Sequence, residues 1–289
     1  MSQPPEESMP GSVAALWRYP VKSMLGEPLE AAEVTARGVL GDRGYACVDL
    51  FTGKVASAKH PRKWGRLFEC QAAYVAEPQL NQPLPAVRIT LPNGVSVLSN
   101  QSDLAQALSG ALGRDVILMA SPPPDPSYEE YWPDIEGMPY REVITEQALG
   151  GDTMPGLFFD GAVIHLLTTA TLNRLQALYP EGRFAPQRFR PNIVVQSGGE
   201  EQGFTESAWL DRALALGDEV RLEVIGPCIR CVMTTLAQGD LPADPGILRA
   251  VAQHNRVGFP GYGALPCVGV YASVTRGGVV RRGDLVRFL

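Results

Sequence analysis

Several kinds of feature are missing from this chain of 289 residues. Only 19% of its residues are charged, and the formal net charge of -6 argues against a general affinity for nucleic acid or anionic membranes. No apolar run approaches the roughly 20 residues that cross a bilayer, and the first residues lack the basic and apolar segments of a signal peptide. The five cysteines form no regular framework, which is typical of a reducing compartment. We therefore predict a cytoplasmic protein that binds neither nucleic acid nor a membrane.

Glycine and proline are abundant instead, with 30 and 25 residues. That composition favours short strands and turns, so the predicted fold class is mainly β, of the α+β kind. The proline-rich stretch after residue 120 is the strongest break in composition. We predict a disordered tail at 1–12, a smaller β-rich N-terminal domain at 13–120, a linker or lid at 121–156, and a β-barrel domain at 157–289.

Two cysteines, Cys228 and Cys231, lie close together late in the chain. The alternating run 220–225 predicts a half-buried strand, which the following Gly-Pro pair would end in a turn that carries both thiols. Arg230 adjoins Cys231, and a fixed positive charge favours the thiolate, which attacks electrophiles or binds soft metals. Cys231 is therefore the first candidate for chemistry. The β-branched run 232–236 predicts a second strand.

Other interpretations of this cysteine pair stay open. A structural zinc site needs four ligands, but the remaining cysteines and the histidines are scattered along the chain. A thioredoxin-type dithiol should open a helix, whereas the residues after Cys231 favour a strand. Both cysteines could also be small apolar residues of the core, because free cysteine is often buried.

Cations follow predicted strands at several points. Lys22 and Ser23 stand together at the end of the first strand and could hold one phosphate, although a lone lysine is more often solvated. Arg43 lies between two glycines, where a guanidinium can grip an oxyanion; an ion pair with Asp42 is the alternative. The basic run 59–63 is most often a solvated face, or it could dock an acidic redox partner.

A second group of candidates lies in the C-terminal half. Thr168 or Thr169 is predicted to cap a helix that follows a buried strand, and the free N–H groups of such a helix attract anions. Arg183, Arg188 and Arg190 then cluster ahead of another buried strand, where ion pairs with nearby acids are the alternative role.

Five short motifs, taken in order, carry a family resemblance. They are Tyr-Pro-Val-Lys-Ser at 19–23, Gly-Asp-Arg at 41–43, Phe-Arg-Pro-Asn at 189–192, Cys-Ile-Arg-Cys at 228–231 followed by Thr234 and Thr235, and Gly-Asp at 283–284. Together they resemble the MOSC family, the molybdenum cofactor sulfurase C-terminal domains. The resemblance implies a MOSC β-barrel domain preceded by an N-terminal MOSC β-barrel domain, and it covers nearly the whole chain.

Within that family the pattern is most similar to the amidoxime-reducing proteins, which bind molybdopterin and reduce N-hydroxylated compounds. The resemblance implies that Cys231 is both the catalytic residue and the ligand of molybdenum in a Mo-molybdopterin cofactor, with no zinc and no iron–sulfur cluster. It also implies cofactor-binding roles for further residues. By motif these are Lys22, Ser23, Arg43, Arg190 and Asn192, and by proximity to the motifs they are Thr168, Thr169, Thr234 and Arg188.

The chain lacks the Cys-x4-Cys-x2-Cys ligand run of the plant-type ferredoxin domain that some bacterial relatives append. We therefore expect electrons from a separate ferredoxin-like, flavin or cytochrome protein, a small N-hydroxylated substrate, and no membrane anchor of the mitochondrial kind. The alternative function is sulfur transfer, with a persulfide carried on Cys231. A cofactor-storage protein without turnover and a β-rich scaffold with buried cysteines are further alternatives.

Overall fold

The computed structural model describes residues 10–150, 156–197 and 203–289. Most of the predicted tail, residues 1–9, lies outside the described residues, as do residues 151–155 beside the predicted start of the barrel domain. Gly11 and Ser12, assigned to the tail from sequence, instead begin the first strand. No helix in the described part of the chain is long and apolar enough to cross a membrane.

Much of the N-terminal part, residues 19–119, folds into small sheets around its own apolar core. Ala32, Val34 and Val39 instead pack into the larger core formed with the C-terminal half. With the strand that precedes it, the N-terminal part contains β1 Gly11–Arg18, β2 Glu27–Leu29, β3 Ala31–Thr35, β4 Gly38–Val39, β5 Ala46–Asp49, α1 Pro61–Trp64, β6 Gln71–Tyr74, β7 Val87–Thr90, β8 Ser96–Leu98, α2 Leu104–Leu112 and β9 Val116–Met119. Strands β6, β7 and β8 form an antiparallel sheet, and β5 pairs with β9. Gly65–Glu69 is a 3-10 helix, in which the adjacent Leu67 and Phe68 are both buried.

The segment predicted as a linker or lid contains a β-hairpin. Its strands are β10 Ser127–Trp132 and β11 Val143–Ala148, which pair antiparallel along their full length. Tyr128 and Glu130 lie on the buried side of β10, so the hairpin packs against the rest of the protein. The boundaries of the domains remain predictions.

The C-terminal half supplies most of a barrel. Its elements are β12 Ile164–Thr168, α3 Thr169–Leu178, β13 Ile193–Gln196, β14 Ala213–Leu216, β15 Val220–Ile229, α4 Gly246–His254, β16 Arg256–Phe259, β17 Gly263–Arg276, β18 Gly278–Arg281 and β19 Leu285–Phe288. Helix α3 connects the parallel strands β12 and β13, as a parallel pair requires a crossover. Short 3-10 helices also occur at Pro186–Phe189, Thr205–Trp209 and Val232–Thr235.

Within the described residues, seven strands close into a barrel in the order β12, β13, β1, β19, β14, β15 and β17, and β17 pairs back with β12. The predicted mainly β fold with a barrel is therefore confirmed. Successive side chains of a strand point to opposite faces, and this explains how β15 packs. Val220, Leu222 and Val224 point into the barrel core, while the residues between them are more exposed. Strand β1 belongs to the barrel although it is far from the other strands in sequence, and it lies between β13 and β19.

The structure corrects two local predictions around the cysteine pair. Strand β15 does not end at Gly226; it runs on to Ile229, with irregularities in its pairing to β17 that accommodate the Gly-Pro pair. The run after Cys231 is a 3-10 helix, not a strand. Thr234 and Thr235 donate their hydroxyls to carbonyls three residues earlier, at 3.0 and 2.7 Å, and such local bonds compete with strand pairing.

Candidate active-site cleft

A cleft of about 780 Å³ lies where the N-terminal part meets the barrel. Its walls come from the segment after β1, the turn before β5, the segment before β12, the segment before β13, and the end of β15 with the 3-10 helix that follows. Eight residues predicted from the sequence line it: Lys22, Ser23, Arg43, Arg188, Arg190, Asn192, Cys231 and Thr234. Residues that are distant in sequence therefore share one site.

Cys231 occupies the position just before the 3-10 helix Val232–Thr235 and is partly exposed to the cleft. Burial raises the pKa of its thiol to about 11, and the ammonium group of Lys59 acts in the opposite direction. The expectation that Arg230 favours the thiolate is corrected, because Lys59 is the nearby cation. The thiol is thus protonated at neutral pH, and a soft metal ion would displace that proton on binding.

Arg230 is directed into the protein instead of toward Cys231. Its Nε and Nη2 donate to the Val268 carbonyl at 2.9 and 2.6 Å, Nη1 donates to the Phe189 carbonyl at 2.9 Å, and Nη2 also donates to His165 Nε2 at 2.6 Å. Burial and then the charge of Arg230 lower the pKa of His165 well below its ordinary value, so its imidazole is neutral. The pair ties β12, β17 and the end of β15 together beside the cleft.

Two lysines share one carboxylate in the cleft. Lys22 forms an ion pair with Asp160 and donates to the Phe158 carbonyl at 3.1 Å. Lys59 Nζ lies 3.5 Å from Asp160 Oδ2 and donates to the Tyr128 hydroxyl at 3.0 Å. Burial acts to raise the pKa of Asp160, but the two ammonium groups outweigh burial and hold it well below its usual range. Burial lowers the pKa of Lys22, and Lys59 Nζ also lies 3.5 Å from Glu130 Oε2, so two carboxylates accompany the two lysines.

Two arginines lie against one aromatic ring. The guanidinium carbons of Arg43 and Arg190 are 4.5 and 4.2 Å from the centroid of the Tyr19 ring. Burial and then the charge of Arg43 lower the pKa of Arg190 to about 10. Ser23 and Arg43 both have left-handed backbones, with φ of 63° and 48°, and such strain often occurs at functional sites. An anion bound between these cations would relieve their repulsion.

Asn192 and Asp42 hold Arg43 and Tyr19 in place beside the cleft. Asn192 Nδ2 donates to Asp42 Oδ2 at 2.8 Å, and its Oδ1 accepts from the backbone N–H of His165 at 3.1 Å. Asp42 also forms an ion pair with Arg43 and accepts from the backbone N–H of Tyr19 at 2.7 Å. The ion pair considered from the sequence for Arg43 thus exists, and Arg43 still lines the cleft.

Arg188 supports the turn that carries Cys231. Only 1% of Arg188 is exposed. Its Nη1 donates to the carbonyls of Thr234 and Leu236, both at 3.2 Å, and its Nη2 donates to the Pro242 carbonyl at 2.7 Å. Because its donors are engaged by backbone carbonyls, Arg188 positions the turn rather than offering a free charge to a ligand.

Thr168 and Thr169 do not line the cleft. Thr168 is the N-cap of α3: its Oγ1 accepts from the backbone N–H of Thr171 at 3.2 Å and donates to Glu206 Oε2 at 2.6 Å. Thr169 is the first residue of that helix. The predicted cap is confirmed, but a buried side chain, Glu206, occupies the helix end, and burial raises the pKa of that carboxyl group. The structure gives the cofactor-binding role predicted for both threonines no support.

Sequence reasoning missed four polar side chains on the wall of the cleft: Lys59, Asp160, His165 and Tyr271. Lys59 belongs to the basic run that was interpreted as a solvated face, yet its ammonium group lies 4.7 Å from the centroid of the Tyr128 ring. Asp160 stands between two apolar runs, a signal that could have identified it. No sequence pattern singled out Tyr271.

The charge of the cleft is opposite to that of the chain. Among the residues described, six cationic side chains and one carboxylate line the cleft, whereas the whole chain carries a formal charge of -6. Such a local surface favours an anionic ligand. Within the described ranges no group of three or more His, Cys, Asp or Glu side chains could hold a metal ion.

Comparison with known proteins agrees with this architecture. The family model of the MOSC domain matches residues 151–287, and that of the MOSC N-terminal beta barrel domain matches residues 10–81. The chain is 27% identical to mitochondrial amidoxime-reducing component 1 of Mus musculus, over 96% of this chain and 82% of the relative. It is 26% identical to component 1 and to component 2 of Homo sapiens, over 96% of this chain and 83% of each relative. The chain therefore belongs to the MOSC family, with a MOSC domain preceded by an N-terminal MOSC β-barrel domain.

Proposed function

We propose that this protein binds a molybdenum cofactor in the cleft and reduces N-hydroxylated compounds with electrons from a separate redox protein. The observation that carries the proposal is the convergence of the Cys231 thiol with cations from both parts of an acidic chain. Relatives named amidoxime-reducing components support the reaction class. A MOSC domain together with such relatives indicates a function related to the molybdenum cofactor.

The residues of the cleft fit such a cofactor. It requires a soft ligand for the metal, cationic and hydroxyl groups for a phosphate, and space for a heterocycle. Cys231 would supply the thiolate, while Lys22, Ser23 and Arg43 would supply the donors for the phosphate. The space of about 780 Å³ includes its opening to solvent, and Phe158, Phe159 and Tyr271 line it and would contact the heterocycle.

The bound cofactor would supply the two-electron chemistry. The reaction breaks the N–O bond of the substrate, consumes two electrons and two protons, and releases the reduced amine or amidine and water. Lys59 would hold a proton at Nζ beside the reacting groups. Burial acts to lower the pKa of Lys59, but Asp160 and Glu130 outweigh burial and raise it well above its ordinary value. Lys59 would therefore keep a positive charge that attracts the oxygen of the substrate.

Metal analysis tests the proposal most directly. Protein made in a host that synthesises molybdopterin should contain about one molybdenum per chain, and Cys231→Ala should lose it because the thiolate ligand is gone. The matched control is Cys228→Ala, which removes a thiol from the same segment. Cys228 also lines the cleft, but only 2% of it is exposed and its thiol donates to the Ile229 carbonyl at 3.9 Å, so this variant should retain the metal. Activity is then measured with an amidoxime and a chemically reduced viologen as electron donor.

The outcomes separate the rival functions. Molybdenum that depends on Cys231, together with reduction of the amidoxime, supports the proposal. Molybdenum with no turnover of any N-hydroxylated compound refutes the reaction and favours cofactor storage. A persulfide on Cys231 in protein without molybdenum refutes the cofactor assignment and favours sulfur transfer.

A further inference from the structure

A second cavity, of about 570 Å³, adjoins the cleft. In the described part of the chain, Arg190 lines both spaces and no other residue does. One wall of the second cavity is formed by Trp17 of β1 and by Tyr19, whose rings are stacked with their centroids 6.5 Å apart. Gln187 and Gln238 come from the segments before β13 and after the Cys231 turn.

Unpaired polar atoms are concentrated in this cavity. Among the residues that the structure describes, five buried side-chain polar atoms have no hydrogen-bond partner. Four of the five belong to residues that line the cavity: Trp17 Nε1, Tyr19 Oη, Gln187 Oε1 and Gln238 Oε1. Tyr19 and Gln238 are only 2% and 3% exposed. Buried polar atoms are almost always paired, so the four atoms around this cavity need partners, which water or a polar ligand in the cavity would supply.

The four atoms define the chemistry of such a ligand. The indole N–H of Trp17 can only donate, the two glutamine oxygens can only accept, and the Tyr19 hydroxyl can do both. The orientation of Gln238 is set by its Nε2, which donates to the Met233 carbonyl at 3.1 Å. A carboxylate or phosphate would face the fixed Gln238 carbonyl oxygen and the carboxylate of Asp240, which also lines the cavity, and a cation would face Arg190 and the indole N–H. A neutral group with adjacent donors and acceptors satisfies all four atoms.

We infer that this cavity is a second binding site, for a neutral small molecule with an amide-type group, such as a primary amide, a urea or an amide-containing heterocycle. Leu25 and Leu241 also line the cavity and would contact the apolar body of the ligand. An occupant would touch Arg190 and, through Gln238 and the Met233 carbonyl, the turn that follows Cys231. A ligand in the second cavity could therefore affect the position of Arg190 and of the turn after Cys231. The unpaired polar atoms of this cavity need partners whatever the main cleft binds.

The test uses two probes of matched shape, nicotinamide and nicotinate, with the full chain. The chain has four tryptophans, so a nitrogen-15 NMR spectrum resolves a small set of indole N–H signals, and Trp17→Phe assigns the one from Trp17. We expect nicotinamide to shift the Trp17 signal with a dissociation constant in the millimolar range or tighter. The other three indoles should not move. Nicotinate should bind at least tenfold more weakly.

Variants test the donor and the acceptor separately. Trp17→Phe keeps a ring but removes the N–H, and Gln187→Met keeps the length but removes the carbonyl oxygen. Each should weaken nicotinamide at least tenfold, as measured by ligand-observed NMR. Gln106→Met is the matched control, because Gln106 is exposed on α2, away from the cavity, and its substitution should leave binding unchanged.

A cavity that holds only ordered water would leave the Trp17 signal unchanged with both probes at saturating concentration, and that result overturns the inference. Equal binding of nicotinate, or unchanged affinity in both variants, overturns the assignment of a neutral amide. Repeating the titration with and without bound cofactor identifies the source of the ligand. A response to nicotinamide in both forms supports a separate molecule. A Trp17 signal already shifted in the loaded form, and insensitive to nicotinamide there, supports an amide edge of the cofactor itself.

Discussion

Arg188→Ala is the substitution whose cost the structure defines best. The side chain is 1% exposed, and its guanidinium donates to four backbone carbonyls. These are the carbonyls of Arg183, Thr234, Leu236 and Pro242, at distances from 2.7 to 3.2 Å. An alanine would leave all four without this donor and would open a space beneath the turn that follows Cys231.

The magnitude follows from the number of acceptors and their burial. A buried acceptor left unsatisfied costs about 1 kcal/mol or more, and this applies in full to the Thr234 carbonyl. The other three bonds are only partly buried, so water replaces part of the lost donor there, and we expect the free energy of unfolding to fall by about 2–3 kcal/mol in total. At about 2 °C per kcal/mol for a chain of this size, the Tm should fall by about 4–6 °C.

Thermal unfolding followed by circular dichroism measures this change, and Arg183→Ala is the matched control. Arg183 lies five residues earlier, is 54% exposed, and pairs at 2.8 Å with Asp240, which is 82% exposed. Such surface pairs contribute about 0–1 kcal/mol, so the control should shift the Tm by no more than about 2 °C. A similar shift for the two variants would refute the reasoning.

Three further predictions rest on other parts of the structure. In cofactor-free protein, alkylation of Cys231 by iodoacetamide should accelerate about tenfold per pH unit from pH 7 to 10 without a plateau, because burial raises the thiol pKa to about 11; a plateau near pH 8 would contradict this. Burial raises the pKa of Glu206, so the folded state binds more protons than the unfolded state, and the free energy of unfolding falls as pH rises above about 4.5, the pKa of the unfolded carboxyl group. Glu206→Gln should lose this slope when unfolding is measured across pH. An unchanged slope would exclude Glu206 as its source. Gly269→Ala places a Cβ 2.4 Å from both His165 Nε2 and the Leu166 backbone carbonyl, at a φ of +77°, and should destabilise by about 3 kcal/mol or more. Gly261→Ala, at a φ of +79° in open space, should cost only about 1 kcal/mol in the same unfolding assay. Equal costs would show that the close approach at Gly269 does not matter.

Features that depend on neighbours in sequence were predictable. The alternation at 220–225 predicted the inward-facing side chains of β15, and the helix cap predicted at Thr168 or Thr169 is Thr168. Gly113 ends α2 in a left-handed conformation, with φ of 70°, as a glycine stop predicts. The strand predicted at 232–236 was wrong, because threonine hydroxyls and Arg188 form hydrogen bonds with the backbone of this segment. The β-branched composition of the segment cannot reveal those bonds.

The site was partly predictable for a similar reason. Cys231, Lys22 and Arg43 stand in motifs with recognisable chemistry, and all three line the cleft. Lys59 could not be told from a solvated lysine, because its burial depends on Tyr128 and Asp160, which are far away in sequence. The state of the Cys231 thiol was misjudged since sequence adjacency to Arg230 says nothing about where the guanidinium points.

By itself the sequence determined the class of fold, the inward and outward alternation of strands such as β15, and the set of thiol, hydroxyl and cationic groups available for chemistry, because each depends on residues a few positions apart. Only the tertiary structure decided that β1 lies between β13 and β19 and that two parts of the chain meet at one cleft. It also decided that four polar atoms surround a second cavity. These outcomes depend on pairing, burial and charge between residues that the chain brings together only when it folds, and no local pattern records those energies.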